Sequence, residues 1–278
     1  MNATARKAHR LKVGIVGCGA IGSGIATAVE KRLKKDCQLT ALYDIDDARA
    51  RSLENQLSRK GIVKKTLEAL IENCDVIVEA VNAKNTTPIL RQALEARKSV
   101  IAMSVGKLLN ASSLFRLAHN NHCHLLLPSG AVAGIDAIKA ASLASIRKIT
   151  LTTRKPPSGF LGNDYLLRRK INPAGIKKET VLYQGGVDAA VKLFPQNINV
   201  AATIALASRA KDKITVCIMT SPDYVNNSHE IEVAGDFGRI TTRTDNVVCP
   251  DNPKTSYLAV LSGIQTLKQY CQGIFIGT

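Results

Sequence analysis

The stretch Val13-Gly14-Ile15-Val16-Gly17-Cys18-Gly19-Ala20-Ile21-Gly22-Ser23-Gly24 decides how the first half of the chain is read. A short apolar run enters a glycine loop and leaves it into an alanine-rich stretch. Gly17-x-Gly19-x-x-Gly22 has the spacing of a dinucleotide fingerprint. In that pattern the first glycine permits the turn, the second lets a pyrophosphate approach the backbone, and the third lets helix and strand pack closely. The helix N-terminus then offers unpaired N–H groups and partial positive charge to the phosphates, so no charged side chain is required. Gly17, Gly19, Ala20, Ile21 and Gly22 are the expected cradle.

Working outward, a helix is expected over residues 21–34 and a strand over 39–43. Asp44 stands at that strand's carboxyl end, 22 positions beyond Gly22, where a carboxylate meets the ribose hydroxyls of a dinucleotide. Asp46 and Asp47 add negative charge where a 2′-phosphate would sit, which favours NAD, while Arg49 and Arg51 keep NADP open. Helices are expected over 46–59, 66–71, 86–96 and 112–120, and strands over 76–80, 99–103 and 125–127. This alternation predicts an α/β fold, a Rossmann-type doubly wound parallel sheet, with ligands at the strand carboxyl ends. Ala80, Val81 and Asn82 then lie beside the cofactor, Asn82 either bonding it or capping the next helix. Ser104 and Gly106 follow the next strand in the same way.

The pattern changes at Pro128-Ser129-Gly130-Ala131-Val132-Ala133-Gly134-Ile135-Asp136, where small residues leave room for a ligand. Beyond it, strands are expected at 149–154, 181–183, 214–219, 230–233 and 240–243, and helices at 187–194 and 199–208. Grouped strands with few helices predict an α+β domain with a largely antiparallel sheet. Residues 156–178 read as a long polar loop, a lid or a surface excursion. The organisation expected is a dinucleotide-binding domain over 11–128 and a catalytic and dimerisation domain over 129–254. The remainder, 255–278, carries a helix that returns to the first domain.

A length of 278 residues with 45% hydrophobic content supports a packed core. Lys and Arg number 38 against 22 acids, a net charge of +16. The basic residues are spread along the chain, concentrated only at Arg6, Lys7, Arg10, Lys12 and at Arg168-Arg169-Lys170, and Trp is absent. That argues against nucleic acid and for a solvated surface that attracts dianionic small molecules. Seven cysteines without a C-x-x-C pair indicate a reduced, cytoplasmic setting. His122-Cys123-His124 places both histidines on one face of a strand with nothing nearby to complete a site, so no metal is expected. The basic start followed by residues 13–29 mimics a secretory signal, but its glycines suit the nucleotide loop instead. No other run reaches a membrane span.

Several stretches together resemble the L-aspartate dehydrogenase family. They are Gly17 to Gly22, Pro128 to Asp136, Thr153-Arg154-Lys155-Pro156-Pro157, and Phe194-Pro195-Gln196-Asn197-Ile198-Asn199-Val200-Ala201-Ala202. The likeness continues through Asn227-Ser228-His229-Glu230-Ile231, Phe237-Gly238 and Asp251-Asn252-Pro253-Lys254-Thr255-Ser256-Tyr257. The resemblance implies a homodimer of Rossmann and catalytic domains that oxidises L-aspartate to iminoaspartate, and onward to oxaloacetate and ammonia, with NAD or NADP. It also implies a link to NAD biosynthesis and quinolinate synthase. His229 matches the family's active-site histidine, Asn199 a cofactor-contacting asparagine, and Ala131 or Ala133 the backbone passing the nicotinamide. Lys107 departs from the family's alanine, and Asn82 stands where a small residue is common.

The chemistry agrees with the resemblance. Histidine can serve the proton steps of amine oxidation, and His229 is the expected group to activate or position water at the imine. A dicarboxylate substrate calls for donors, for which Ser129, Asn199 and Lys254 are the candidates. Two other readings are an imine reductase like dihydrodipicolinate reductase and a non-catalytic NAD(H) sensor. The first lacks the lysine that family carries shortly before its Pro-Ser-Gly; the second has no helix-turn-helix or zinc pattern to accompany it.

Overall fold

Parallel strands covered on both faces read as continuous apolar runs, and the first half of the chain has four. The computed structural model describes residues 10–81, 85–194, 198–249 and 252–277, the side chains of 198 and 252–254 excepted. Two units result. One comprises the chain up to Ala102, Leu114–Leu126 and Ile264–Ile274; the other comprises Met103–Ser113, Leu127–Gly263 and the residues from Phe275 on.

In the first unit, β1 (Leu11–Val16), β2 (Cys37–Tyr43), β3 (Val76–Glu79), β4 (Ser99–Ala102) and β5 (Leu125–Leu126) form one sheet in the order β2-β1-β3-β4-β5. Every pairing is parallel, as the alternation predicts. The connecting helices are α1 (Ala20–Lys31), α2 (Asp47–Gln56), α3 (Leu67–Glu72), α4 (Thr86–Glu95) and α5 (Ser112–Asn120). Asp46 caps α2 and Thr66 caps α3, each accepting a backbone N–H three residues on. Glu79 is fully buried at the end of β3, where its carboxylate accepts the Val81 N–H and the Thr86 hydroxyl. Residues 122–124 do not alternate as a strand: His122 has φ 55° in a turn and His124 packs edge-on against Tyr270.

In the second unit come α6 (Ile135–Ala141), β6 (Ile146–Lys155), α7 (Asp164–Arg168), β7 (Thr180–Gly185), α8 (Val187–Leu193) and α9 (Ile198–Ser208). After them follow β8 (Ile214–Thr220), β9 (Asn227–Gly235), β10 (Gly238–Asn246) and a short hairpin of β11 (Val248–Cys249) and β12 (Asn252–Ser256). Last is α10 (Tyr257–Gln272), whose residues from Ile264 on belong to the first unit. The main sheet runs β10-β9-β6-β8-β7. It is largely antiparallel, as expected, with one parallel pair, β6 and β8, at its middle. A parallel pair needs a long crossover, and residues 156–213 supply it. Within that crossover, 156–178 is not an open loop: it holds α7 and 3₁₀ turns at Pro157–Phe160 and Pro173–Gly175, with Phe160 and Leu166 buried. Residues 255 and 256 belong to β12, so the last helix begins at Tyr257.

The core of this unit lies on the inward face of the sheet. Burial alternates along β8, and Ile149, Leu151, Ile214, Val216, Ile218, Ile231 and Val233 pack with Ile138 of α6 and Ala201, Ile204 and Ala205 of α9. Phe194 closes one side, 1% exposed, with ring centroids of Tyr165 at 5.4 Å, Tyr183 at 5.8 Å and Phe160 at 6.2 Å. Among the described residues no helix is long and apolar enough to cross a membrane.

Removing the Phe194 ring leaves a cavity and three aromatic partners without their contact. Phe194→Ala is expected to lower stability by about 3–5 kcal/mol in urea unfolding; a loss under about 1 kcal/mol would show that the cluster does not organise this unit.

Candidate active site

In the first unit the glycine loop is built against the backbone of its neighbours. Gly17 adopts φ +95°, and a Cβ there would sit 2.5 Å from the Ala80 carbonyl oxygen. A Cβ at Gly22 would run into the Gly17 carbonyl. Neither position tolerates a side chain. Around Gly19 a Cβ would meet nothing within 4 Å, and Gly19 is the N-cap of α1 without a side-chain cap or an acidic residue in the first turn. The loop therefore leaves an open cradle at an uncapped helix start, which fits a pyrophosphate. Asp44 lies beside it, accepting the Cys18 N–H at 2.7 Å and the Asp46 N–H at 2.9 Å. Arg49 reaches Asp46 at 3.6 Å. Val81 follows Ala80 at the end of β3, and Asn82 lies outside the described residues.

In the second unit, His229 occupies the inward row of β9 that otherwise carries Ile231 and Val233, and it is 5% exposed. Register pairs it with Thr153 on β6 and Thr244 on β10. The Thr153 hydroxyl bonds Nδ1 at 3.0 Å, while Nε2 has no protein partner among the described residues. Burial pushes the imidazole pKa down to about 3, with the nearby Lys155 charge adding to the effect. Lys155 itself, two residues beyond Thr153 on the same face, is pushed down to about 8 by burial. His229 is thus a neutral imidazole at any pH near 7.

The small-residue loop 128–134 is laced to β10. The Ala131 carbonyl accepts the Thr244 hydroxyl at 2.9 Å and the Asn246 amide at 3.0 Å, and the Ala133 carbonyl accepts the Thr242 hydroxyl at 3.2 Å. Gly130 donates its N–H to Ser262 at 3.1 Å. Asn246 is 4% exposed, and its Oδ1 has no partner among the described residues. Asn199 at the start of α9 accepts the Gly106 N–H at 2.9 Å and donates to the Met103 carbonyl at 3.5 Å. Its amide thereby holds the Val105–Leu108 turn, in which Ser104 is buried at the entry. Ser129 is half-buried. Lys254 lies on β12, its side chain outside the described residues.

The structure thus gathers Gly17, Gly19, Gly22, Asp44 and Ala80 in one unit. In the other it brings Gly106 to Asn199, and ties Ala131 through Thr244 to the His229 row. Sequence reasoning missed Thr153, Lys155, Thr244 and Asn246. Strand parity was the available signal: in Thr153-Arg154-Lys155, residues 153 and 155 share a face.

The sequence profile described as aspartate dehydrogenase, C-terminal, matches residues 136–270, and one described as homoserine dehydrogenase, NAD binding domain, matches 17–128. An L-aspartate dehydrogenase of Methanosarcina barkeri is 45% identical over 271 residues, spanning 96% of this chain and 100% of the relative. The chain belongs to the L-aspartate dehydrogenase family. Another member, from Methanothermobacter thermautotrophicus, is 37% identical across 96% of this chain and 99% of the relative. Crystallographic aspartate dehydrogenase from Thermotoga maritima shares the fold, with a TM-score of 0.73 and 24% identity over 97% of this chain and 100% of that one.

A depressed histidine pKa makes stability depend on pH. Between the ordinary value of 6.5 and the folded value of about 3, the unfolded state binds the proton and the folded state does not. Stability is therefore lost as pH falls through this window, by up to about 1.4 kcal/mol per pH unit from this group. Urea midpoints of wild type and His229→Asn across pH 4.5–7.5 check this: the variant's slope is expected to be shallower, and parallel slopes would contradict a neutral, buried His229.

Proposed function

We propose that this protein is an NAD(P)-dependent L-aspartate dehydrogenase with His229 at its catalytic centre. The observation that carries the reading is a buried, neutral imidazole fixed by Thr153 at Nδ1, with Nε2 left without a protein partner among the described residues. Family membership supports it. A bound nicotinamide supplies the hydride acceptor for the Cα–H of L-aspartate. Gly17, Gly19, Ala20, Ile21 and Gly22 hold the pyrophosphate and Asp44 the ribose. Ala80, Val81, Asn82, Ser104, Gly106, Ala131, Ala133 and Asn199 shape the rest of the cofactor site, Asn199 through the turn it anchors.

Loss of hydride and proton from L-aspartate yields iminoaspartate, and addition of water yields oxaloacetate and ammonia. Nε2 of His229 accepts a hydrogen bond from that water and takes its proton as the C–O bond forms, which a neutral imidazole can do and an imidazolium cannot. Ser129 and Lys254 donate to the substrate, with Asn199 assisting. Asp46 and Asp47 favour NAD, while Arg49 and Arg51 beside them leave NADP usable. A homodimer is part of the reading, supported by an outward row of Thr152, Cys217 and Met219 that stays partly exposed in the single chain. A reduced, cytoplasmic setting and a role in NAD biosynthesis alongside quinolinate synthase complete it; seven free thiols support the former.

The test is NADH formation at alkaline pH with L-aspartate against D-aspartate, L-glutamate and L-alanine, of which only L-aspartate is expected to react. His229→Ala should lose about 10²–10⁴-fold in kcat while NADH fluorescence titration stays unchanged. Near-normal turnover by the variant would overturn the assignment.

A further inference from the structure

We propose that Lys155 is the cation that receives a carboxylate of the substrate beside His229; this rests on the dicarboxylate reading above. Thr153 and Lys155 share one face of β6, and Thr153 holds the His229 ring at 3.0 Å. Lys155 is therefore one inward step further along the strand, at its carboxyl end. Its backbone is pinned there because its carbonyl accepts the Thr220 hydroxyl at 2.9 Å. The aliphatic stem runs along the Pro157–Phe160 turn: a Cβ at Gly159 would lie 3.5 Å from both Cβ and Cδ of Lys155.

Among the described residues the ammonium has no counterion. Among the described residues no carboxylate lies within 4.0 Å of Lys155 Nζ, whereas its neighbour Arg154, on the opposite face, pairs with Glu230 at 2.9 Å. The side chains registered around Lys155 are Thr220 on β8, Thr153 on its own strand and His229 on β9, and of these only His229 titrates. A partly buried cation without an anion costs free energy that a well-placed carboxylate recovers. The position accordingly suits an anion supplied from outside the chain, since the neighbouring Glu230 carboxylate is paired with Arg154 on the outer face. The low pKa of Lys155 has the same origin, and a bound carboxylate would raise it.

The two residues divide the work. Lys155 fixes one carboxylate and so sets where Cα and the imine carbon lie, while His229 handles water and proton. Ser129 and Lys254 remain for the second carboxylate.

The experiment uses the full chain with NAD present and succinate, a dicarboxylate without an amine, as the probe. Binding is measured by calorimetry for wild type, Lys155→Met and Lys155→Arg, alongside steady-state kinetics with L-aspartate and NADH titrations as the folding control. Lys155→Met is expected to weaken succinate binding and raise the KM for L-aspartate by about 10- to 150-fold, the range for a charged hydrogen bond. Its kcat should fall less, and Lys155→Arg should recover most of the loss. Succinate binding to Lys155→Met within twofold of wild type would overturn the proposal, as would a lost kcat with unchanged KM, which would make Lys155 a proton acceptor instead. If wild type binds succinate through Lys155 but does not oxidise L-aspartate, the carboxylate site stands and the activity reading fails.

Discussion

A histidine placed in a row that otherwise carries isoleucine and valine is the constraint on which the second unit's chemistry depends. The inward face of its sheet is packed with apolar side chains, so an imidazole there is stable only when neutral and hydrogen-bonded. Register does the rest, because Thr153 and Thr244 fall opposite His229 on the two flanking strands. Thr153 satisfies one ring nitrogen, and Thr244 turns its hydroxyl to the Ala131 carbonyl. One strand position thus fixes both the orientation of the ring and the course of the small-residue loop.

The first unit solves a different problem with backbone alone. Its loop carries no charged side chain and needs none: Gly17 and Gly22 let the strand end, the turn and α1 approach one another, and Gly19 leaves the helix start open. Asp44 ties the loop to β2 by accepting the Cys18 N–H. The side chain expected to meet a ribose also braces the turn proposed to meet the phosphates, so replacing it disturbs both.

Legibility in the sequence followed the range of the interactions concerned. The parallel sheet could be read because strand, glycine turn, helix and acid are consecutive, and each element carries its own periodicity. The second sheet's central parallel pair could not, since β6 and β8 are separated by the whole 156–213 crossover and their register has no local mark. The same distance hid α7, a 5-residue helix in which Leu166 is the buried residue. His229 was found through resemblance, not through its strand, where one histidine in an apolar row looks structural. Lys155 was legible in principle from parity with Thr153 but carries no motif of its own. Asn199 was anticipated as a cofactor contact, yet its amide is engaged with Gly106 and Met103, a pairing across 93 residues that spacing does not reveal.

The central claim is that His229 is neutral where it works, because it is buried beside Lys155. The direct measurement is the ¹⁵N chemical shifts of the His229 imidazole in the ¹⁵N-histidine-labelled protein between pH 5 and 9, assigned by comparison with His229→Asn. A neutral ring throughout that range is the result this account predicts. A titration with a midpoint near the ordinary histidine value, about 6.5, would contradict it.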